Sequence, residues 1–270
     1  MKQLVFLCFA LTLLIFFPYN TEAQSLQMIS STPIRQVRAI SVDKKNMLYL
    51  ADNLGDIKRY DISGTQQQVF SPTKIGNISS LEAWTSLRVL VFYEEYQEFL
   101  ILDRFLNQTS AYSLEPSQIG FAKVISLAAD NNLWVFDNTD FSLKKYDPIN
   151  KSNLLITALD LLLDPENHEI NFIREYQNIL LVNDKNKGIL LFDNLGNYKK
   201  TLNYPGLNYL GVAGDEICFL NGDRLYLYNI YQDQERFLNL PLDQNWLYAG
   251  LIGDYIFTIS LTHLYFFKEL

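Results

Sequence analysis

The sequence predicts an all-β fold: a six-bladed β-propeller with four-stranded antiparallel blades and an N-terminal strand that closes the last blade. Three observations lead to this prediction. About half of the 270 residues are hydrophobic and only 19% are charged, which is enough apolar material for a large core. Two unrelated residue markers each recur six times at intervals of about 40 residues. A period of this length, filled with short strands, is typical of propeller blades.

Residues 1–23 are typical of a secretory signal peptide. Lys2 gives a positive start, Leu4–Phe17 is an apolar run, and Thr21 and Ala23 are the small residues expected before a cleavage site. The alternative is a retained membrane anchor. An apolar run of 14 residues is short for a span, which needs roughly 20 residues. We therefore expect export with cleavage.

Residues 24–270 are then expected to form one propeller domain outside the cytoplasm. Cleavage removes Cys8 and leaves Cys218, which lies in a strand-like segment and is expected to be a small buried hydrophobe. A secreted animal domain normally pairs its cysteines, so the composition favours the bacterial envelope: periplasmic, outer-membrane-associated or extracellular. A chain with a net charge of -8 does not offer the basic surface that non-specific nucleic-acid binding requires.

The first repeat unit shows how a blade is built. An apolar strand from Ala39 ends in a polar turn, and a second strand spans Met47–Ala51. A turn containing Asn, Gly and Asp follows, and a third strand runs to Tyr60. The turns carry residues that tolerate positive φ, and the strands alternate or run apolar as buried strands do.

The two markers divide the chain into six units. The third strand ends in an apolar or aromatic residue followed by a polar one: Tyr60-Asp61, Leu102-Asp103, Tyr146-Asp147, Phe192-Asp193, Tyr228-Asn229 and Phe267-Lys268. Proline, which cannot donate to a strand ladder, marks the exit of the fourth strand at Pro33, Pro72, Pro116, Pro165, Pro205 and Pro241. The predicted blades are approximately 35–72, 73–116, 117–165, 166–205, 206–241, and 242–270 together with 25–34.

The last unit predicts how the ring closes. It ends at Leu270 after its third strand, and residues 25–34 resemble the fourth-strand exit Gln68–Pro72. We expect this N-terminal segment to complete the sixth blade and so remove a free sheet edge. The third blade is longest because its fourth strand carries extra residues in Leu154–Leu163, although Leu159–Leu163 also suits a helical turn.

The first unit resembles an NHL repeat through Ser41-Val-Asp43, Leu48-Tyr-Leu-Ala-Asp52 and Ile57-Lys-Arg-Tyr-Asp61. Leu133–Asp137 with Lys144–Asp147 repeats the pattern, as does Leu180–Asp184 with Leu190–Asp193. Blades 2, 5 and 6 match weakly, and the usual glycine between the first two strands is replaced by Lys45-Asn46 and Asn131-Asn132. The resemblance therefore implies the wider NHL-like or TolB-like class of six-bladed propellers.

Propeller sites usually lie at the mouth of the central channel, where the turns between second and third strands meet. A ring of carboxylates and amides there suits Ca²⁺. The resemblance implies such an arrangement, because six-bladed lactonase-type hydrolases have it. The same residue types are also common in tight turns, and this interpretation carries the greater weight. The predicted binding residues in these turns are Asp52, Asn53, Asp56, Asn138, Asp140, Asp184, Lys185, Asn221 and Asp223.

No catalytic residue and no resident metal ligand is predicted. His168 and His263 fall at unrelated positions in different blades, which does not supply a zinc or iron site or a catalytic triad. Glu94 and Glu95 are adjacent on an extended segment, so their carboxylates should diverge. With Tyr96 they are candidate contacts for a partner.

These observations favour a non-catalytic protein-interaction scaffold of the bacterial envelope, a monomeric disc or a subunit of a complex with a protein partner. One alternative is a Ca²⁺-dependent hydrolase of the lactonase or esterase kind. A second is a carbohydrate-binding propeller, which rests on tyrosines expected near turns: Tyr96, Tyr204, Tyr209, Tyr231 and Tyr248.

Overall fold

A computed structural model describes residues 26–73, 76–242 and 244–270. It confirms six sheets of four antiparallel strands. The predicted signal peptide, residues 1–23, lies outside the described residues. Among the residues described, no helix is both long enough and apolar enough to cross a membrane.

The first three blades follow the chain without interruption. Blade 1 comprises β2 (Val37–Val42), β3 (Leu48–Asp52), β4 (Ile57–Tyr60) and β5 (Gln66–Phe70). Blade 2 comprises β6 (Ile78–Glu82), β7 (Arg88–Tyr93), β8 (Glu98–Asp103) and β9 (Gln108–Ser113), with a 3-10 turn at Glu94–Tyr96. Blade 3 comprises β10 (Ala122–Leu127), β11 (Leu133–Asp137), β12 (Ser142–Asp147) and β13 (Ser152–Ala158).

The remaining blades include the closing strand. Blade 4 comprises β14 (Ile170–Tyr176), β15 (Ile179–Asp184), β16 (Gly188–Asp193) and β17 (Tyr198–Leu202). Blade 5 comprises β18 (Gly211–Ala213), β19 (Glu216–Asn221), β20 (Arg224–Asn229) and β21 (Gln234–Asn239). Blade 6 comprises β22 (Tyr248–Ile252), β23 (Tyr255–Ile259), β24 (His263–Glu269) and β1 (Leu26–Pro33).

The ring closes through the N-terminal strand, as predicted. β1 pairs antiparallel with β24, from Leu26 opposite Glu269 to Pro33 opposite His263. The backbone N–H of Ile34 extends this contact to the carbonyl of Thr262, at 2.8 Å. The first strands of neighbouring blades contact one another and form the wall of the central channel.

The aspartates that mark the third-strand ends begin the turns to the fourth strands. The carboxylate of Asp103 accepts the backbone N–H groups of Phe105 and Asn107 at 2.8 and 2.9 Å. Asp193 accepts those of Leu195 and Asn197 in the same way, at 2.9 Å each. These backbone donors hold the pKa of both carboxyls below its usual range. The marker recurs because this turn joins the third strand to the fourth in blades 1–5.

The hydrophobic core lies between neighbouring blades. Leu90 of blade 2 packs in one cluster with Val135 of blade 3, and each of the six blade junctions has such a cluster. Cys218 is buried at the junction of blades 5 and 6, where burial raises the pKa of its thiol to about 11. It is the small buried hydrophobe that the sequence predicts.

The long third blade ends in a helical turn. β13 stops at Ala158, and the N–H groups of Leu162 and Leu163 both donate to the carbonyl of Leu159, at 2.8 and 2.9 Å. The extra residues therefore do not lengthen the fourth strand. The alternative of a helical turn at Leu159–Leu163 is confirmed.

Candidate functional site

A cavity of about 500 Å³ lies at one end of the central channel. Neighbouring strands are antiparallel, so the turns between second and third strands share this upper face with the connections between blades. We call the cavity the upper mouth. Among the residues that line it, each blade contributes one at the equivalent position at or just before its first strand, and we call these six the upper ring: Arg38, Ser79, Lys123, Asn171, Asn208 and Tyr248.

β-Bulges position most of the upper ring. In blades 1–4 the ladder between the first and second strands skips one residue of the first strand, which is a ring member: Arg38, Ser79, Lys123 or Asn171. A bulge leaves the extra residue unpaired and re-aims its side chain. The four bulges thus bring four side chains to one level of the channel. In blades 5 and 6 the ring residue precedes β18 or begins β22.

Four members of the upper ring have uncommitted polar groups. Their side chains make no hydrogen bond or ion pair with another described residue: Arg38, Ser79, Asn208 and Tyr248. The hydroxyl of Ser79 is enclosed and still lacks a partner. Burial raises the pKa of Tyr248, against the opposing effect of the Arg38 charge. These groups are therefore available to a ligand.

The two carboxylates of the upper mouth are held in ion pairs. Glu94 Oε1 lies 2.7 Å from Lys123 Nζ, and Glu169 Oε1 lies 2.6 Å from Lys185 Nζ. All four residues line the cavity. Neither carboxylate is thus left free to act as a general base in this arrangement.

His168 also lines the upper mouth, with both ring nitrogens engaged. Nδ1 lies 2.9 Å from the carbonyl oxygen of Pro165, and Nε2 lies 3.0 Å from Oδ1 of Asn138. The His168 and Phe141 rings pack edge to face, with 4.7 Å between ring centroids. The imidazole is half-buried and oriented by these contacts, so it forms part of the cavity wall.

The predicted carboxylates of blade 1 are paired with cations beside their turn. Asp52 Oδ2 lies 3.0 Å from Lys58 Nζ, and Asp56 Oδ2 lies 3.1 Å from Arg35 Nη1. Asp52 also accepts the backbone N–H groups of Leu54 and Asp56, at 2.9 and 3.1 Å. These contacts stabilise the turn, and neither carboxylate lines the upper mouth.

Asp140 and Asp184 are engaged in a similar way. Asp140 lies 2.7 Å from Lys144 Nζ, which also lies 2.7 Å from the buried Asp137. Burial alone raises the pKa of Asp137, but hydrogen bonds from Lys144 and from backbone N–H groups bring it below its usual range. Asp184 accepts backbone N–H groups from its own turn, including that of Asn186 at 2.7 Å.

The structure brings only part of the predicted set to the upper mouth. Its lining includes Asn138, Lys185 and Glu94. Glu94 and Glu95 lie in the 3-10 turn and not on an extended segment as predicted. Glu95 is exposed and accepts a hydrogen bond from the amide of Asn77 at 2.8 Å, whereas Glu94 pairs with Lys123. The other predicted residues lie outside the lining: Asn53, Asn221, Asp223 and Tyr96.

A metal centre requires several ligands at one point. Within the described ranges, no three His, Cys, Asp or Glu side chains are close enough together to hold an ion. The upper ring contains two cations and no carboxylate.

Of the upper ring, only Tyr248 was predicted from the sequence; the other five residues lie outside the turns between second and third strands, where binding residues were expected. The signal of the ring lies earlier in each unit, where a polar or amphipathic residue follows an apolar or small one at the start of the first strand. The pattern reads Val37-Arg38, Ile78-Ser79, Ala122-Lys123, Ile170-Asn171, Leu207-Asn208 and Leu247-Tyr248. The repeat register alone aligns these positions, because the residue types differ.

Below the upper mouth the channel narrows to a section of about 60 Å³, which we call the waist. Glu82 and Arg174 are both buried there. The hydroxyl of Ser126 donates to Glu82 Oε2 at 2.6 Å, and the N–H of Leu127 donates to the same oxygen at 3.0 Å. Burial raises the pKa of Glu82, although Arg174 acts to lower it. Arg174 Nη2 donates to the hydroxyl of Ser41 at 3.3 Å.

The aromatic side chain of Tyr209 fills the other side of the waist. Tyr209 was expected near a turn as an exposed contact, but it is buried, with only 6% of its surface exposed. A Cβ at Gly211 would lie 2.5 Å from Cys218 Sγ and one at Gly250 would lie 2.7 Å from Phe257, so these glycines allow close packing beside the tyrosine. The hydroxyl of Tyr209 interacts with the Arg174 guanidinium, whose Nε is buried without a hydrogen-bond partner.

The opposite end of the channel opens into a cavity of about 550 Å³, the lower mouth. Trp84 and Tyr176 meet there edge to face, with ring centroids 5.1 Å apart, and Lys44 Nζ lies 5.2 Å from the centre of a Trp84 ring. Glu175 accepts a hydrogen bond from the indole of Trp134 at 2.6 Å. The lower mouth is therefore aromatic and acidic, whereas the upper mouth is rich in donors.

No protein-family model matches the chain, and no curated protein matches it in sequence. Similar solved structures exist. A streptogramin B lyase is 13% identical, with a TM-score of 0.63, over 91% of this chain and 98% of the lyase. A catalytically inactive histidine-to-alanine variant of virginiamycin B lyase from Staphylococcus aureus, with quinupristin, is 9% identical, with a TM-score of 0.63, over 91% and 100%.

BamB from Moraxella catarrhalis is 11% identical, with a TM-score of 0.50, over 90% of this chain and 100% of BamB. An enzyme and BamB thus resemble the same chain at comparably low identity. At these identities the likeness shows the fold, and the function has to be argued from the site.

Proposed function

We propose that this chain is a non-catalytic protein-interaction propeller of the bacterial cell envelope and that a protein partner docks at its upper mouth. The observation that supports this most is the set of uncommitted side chains at that mouth, which come from four different blades. Both carboxylates in the lining are held by lysines. Such a surface offers hydrogen bonds to a partner and lacks a free base beside a nucleophile.

A lyase is the competing function, because two of the similar structures are lyases. One of them is catalytically inactive as a histidine-to-alanine variant. In this chain His168 lies at the upper mouth, but both of its nitrogens are already hydrogen-bonded. Incubation with quinupristin, followed by chromatography, tests this function. We expect no conversion; conversion that is lost in His168→Ala would favour the lyase.

The envelope location rests on the sequence. The signal-peptide pattern of residues 1–23, the disulfide-free composition and the NHL-like or TolB-like repeat all support it. N-terminal sequencing of the protein recovered from bacterial cell fractions provides the test. We expect envelope material beginning at Gln24. Cytoplasmic material that still begins at Met1 would contradict export.

Site-specific photo-crosslinking in cells tests partner docking. A benzophenone amino acid at Asn208, which is exposed in the upper ring, is compared with one at Leu154, which is exposed on the outer strand β13 of blade 3. We expect one discrete crosslinked protein from Asn208 and none of that size from Leu154. The same product from both positions, or none from Asn208, would count against docking at the upper mouth.

A further inference from the structure

We propose that the upper ring is an oxyanion-binding site and that the partner presents to it the carboxylates of an acidic segment. This inference rests on the proposed function and extends it by naming the chemistry that the partner offers. The donors of the ring, the charge of the mouth and an unpaired group beneath it support this assignment.

Every member of the upper ring carries a hydrogen-bond donor: a guanidinium, an ammonium, two hydroxyls and two amides. Arg38 and Lys123 are permanently donors, and none of the six is a carboxylate. Four of the six have no partner among the described residues. A ring of this kind is complementary to a ligand that supplies several acceptor oxygens.

The charge at the mouth points the same way. Arg38, Lys123 and Lys185 face the carboxylates of Glu94 and Glu169, so the lining has a net charge of +1 while the whole chain carries -8. Because the two lysines are already paired, the uncompensated cation is Arg38. A cationic cavity in an acidic disc directs an anionic group to this point of the surface.

The waist adds a further donor below the ring. The Nε–H of Arg174 is buried and has no hydrogen-bond partner, although the Tyr209 hydroxyl interacts with the same guanidinium. Arg174 lines the same narrow section as Arg38, Asn171 and Asn208. Buried polar groups are normally satisfied, so an unsatisfied donor below an open cavity indicates an acceptor from a ligand or its bound water.

A carboxylate is the oxyanion that this ring already binds. Glu94 reaches across from blade 2 and places its carboxylate 2.7 Å from the ammonium of Lys123. The planar guanidinium of Arg38 suits a second carboxylate, which it can bind through two parallel hydrogen bonds. Acidic side chains on one protruding segment of a protein would supply such a carboxylate together with acceptors for the neutral donors of the ring.

The test uses two capped peptides as probes, Gly-Asp-Glu-Asp-Gly and its amide counterpart Gly-Asn-Gln-Asn-Gly, titrated calorimetrically into the full chain. We expect the acidic peptide to bind about tenfold more tightly than the amide peptide, and less tightly as salt is added. Arg38→Gln should weaken the acidic peptide by about tenfold. Arg236→Gln is the matched control, because Arg236 pairs with Glu216 in blade 5 and does not line the mouth.

Three results would overturn the inference: equal binding of both peptides, equal losses in the two arginine variants, or binding of inorganic phosphate with no binding of the acidic peptide. The last would assign the ring to a small free oxyanion. Each leaves the proposed function standing if Asn208 still gives a discrete crosslink. An Asn208 crosslink that is undiminished in cells carrying Arg38→Gln would also count against carboxylate binding by the ring. Absence of the crosslink in the unaltered chain would instead count against the proposed function.

Discussion

The waist of the channel is closed in two different ways on its two sides. In blades 1–4 the equivalent first-strand positions are Ser41, Glu82, Ser126 and Arg174, which form two hydrogen-bonded pairs. In blades 5 and 6 the equivalent positions are Gly211 and Leu251, and the ring of Tyr209 packs against Gly211. The polar side depends on every partner being present, whereas the aromatic side depends on close packing.

Hydrogen bonds between blades reinforce the polar side. The hydroxyl of Ser41 in blade 1 accepts the N–H of Ala83 in blade 2, and Ser80 in blade 2 accepts that of Ile125 in blade 3, both at 3.0 Å. Side chains of one blade thus satisfy backbone groups of the next. Loss of one member leaves a buried donor or charge unpaired, which costs more than the bond itself contributes.

The largest effect is expected for Glu82→Ala. The change removes the carboxylate beside the buried Arg174 and the acceptor for Ser126 and Leu127. We expect the free energy of unfolding to fall by about 3–5 kcal/mol, measured by denaturant titration at neutral pH. Ser80→Ala is the control, since it leaves only one backbone N–H unpaired. A loss no greater than that of Ser80→Ala would show that the polar side is not cooperative.

Gly211→Ala tests the aromatic side. A Cβ there would lie 2.5 Å from Cys218 Sγ and 3.4 Å from Tyr209 Cε1. Overpacking of this kind should lower the free energy of unfolding by about 1–3 kcal/mol. Adding Cys218→Ala removes the closer atom and should restore part of the stability in a double-mutant cycle. Additive losses in the cycle would mean that Gly211 matters for another reason.

A pH profile of stability tests the polar side through the titration of Glu82. Burial raises the pKa of Glu82 above the usual carboxyl value of 4.5, against the opposing charge of Arg174. At pH values between the unfolded pKa of Glu82 and its raised folded pKa, the Glu82 carboxyl is protonated in the folded state and ionised in the unfolded state. The free energy of unfolding therefore falls as the pH rises through this range. The unfolding free energy of the unaltered chain, relative to that of Glu82→Gln, should therefore fall through this range.

The expected fall is about 1.4 kcal/mol for each pH unit by which the folded pKa exceeds the unfolded one. Denaturant titrations of both proteins from acidic to neutral pH provide the measurement. Parallel profiles would indicate that the carboxyl titrates alike in the folded and unfolded chains.

The fold could be predicted from the sequence because each blade repeats the same turn chemistry. Asp103 and Asp193 must accept two backbone N–H groups, so the marker persists where the strands themselves vary. The closing strand was predictable for a related reason, since the last unit lacks a fourth strand. A repeated pattern predicts the architecture even when no single segment is distinctive.

The upper ring and the waist were less predictable, because repetition fixes their positions and leaves their residue types free. Arg38 and Asn171 occupy equivalent places and share no chemistry that a motif would reveal. Tyr209 was expected near a turn, but it is buried in a cluster with residues of other blades, such as Ile252 and Phe257, and its own segment does not reveal these contacts. Such a site appears only when the register of all six first strands is known.

The pairing of β1 with β24 also determines when the disc can be completed. Residues at opposite ends of the described chain must meet, a contact with nearly the largest sequence separation available, and such contacts slow folding. A chain shortened within β24 leaves β1 without its partner strand. Conversely, joining residue 26 to residue 270 and opening the chain at an exposed turn keeps every strand pair, which makes the protein suitable for circular permutation.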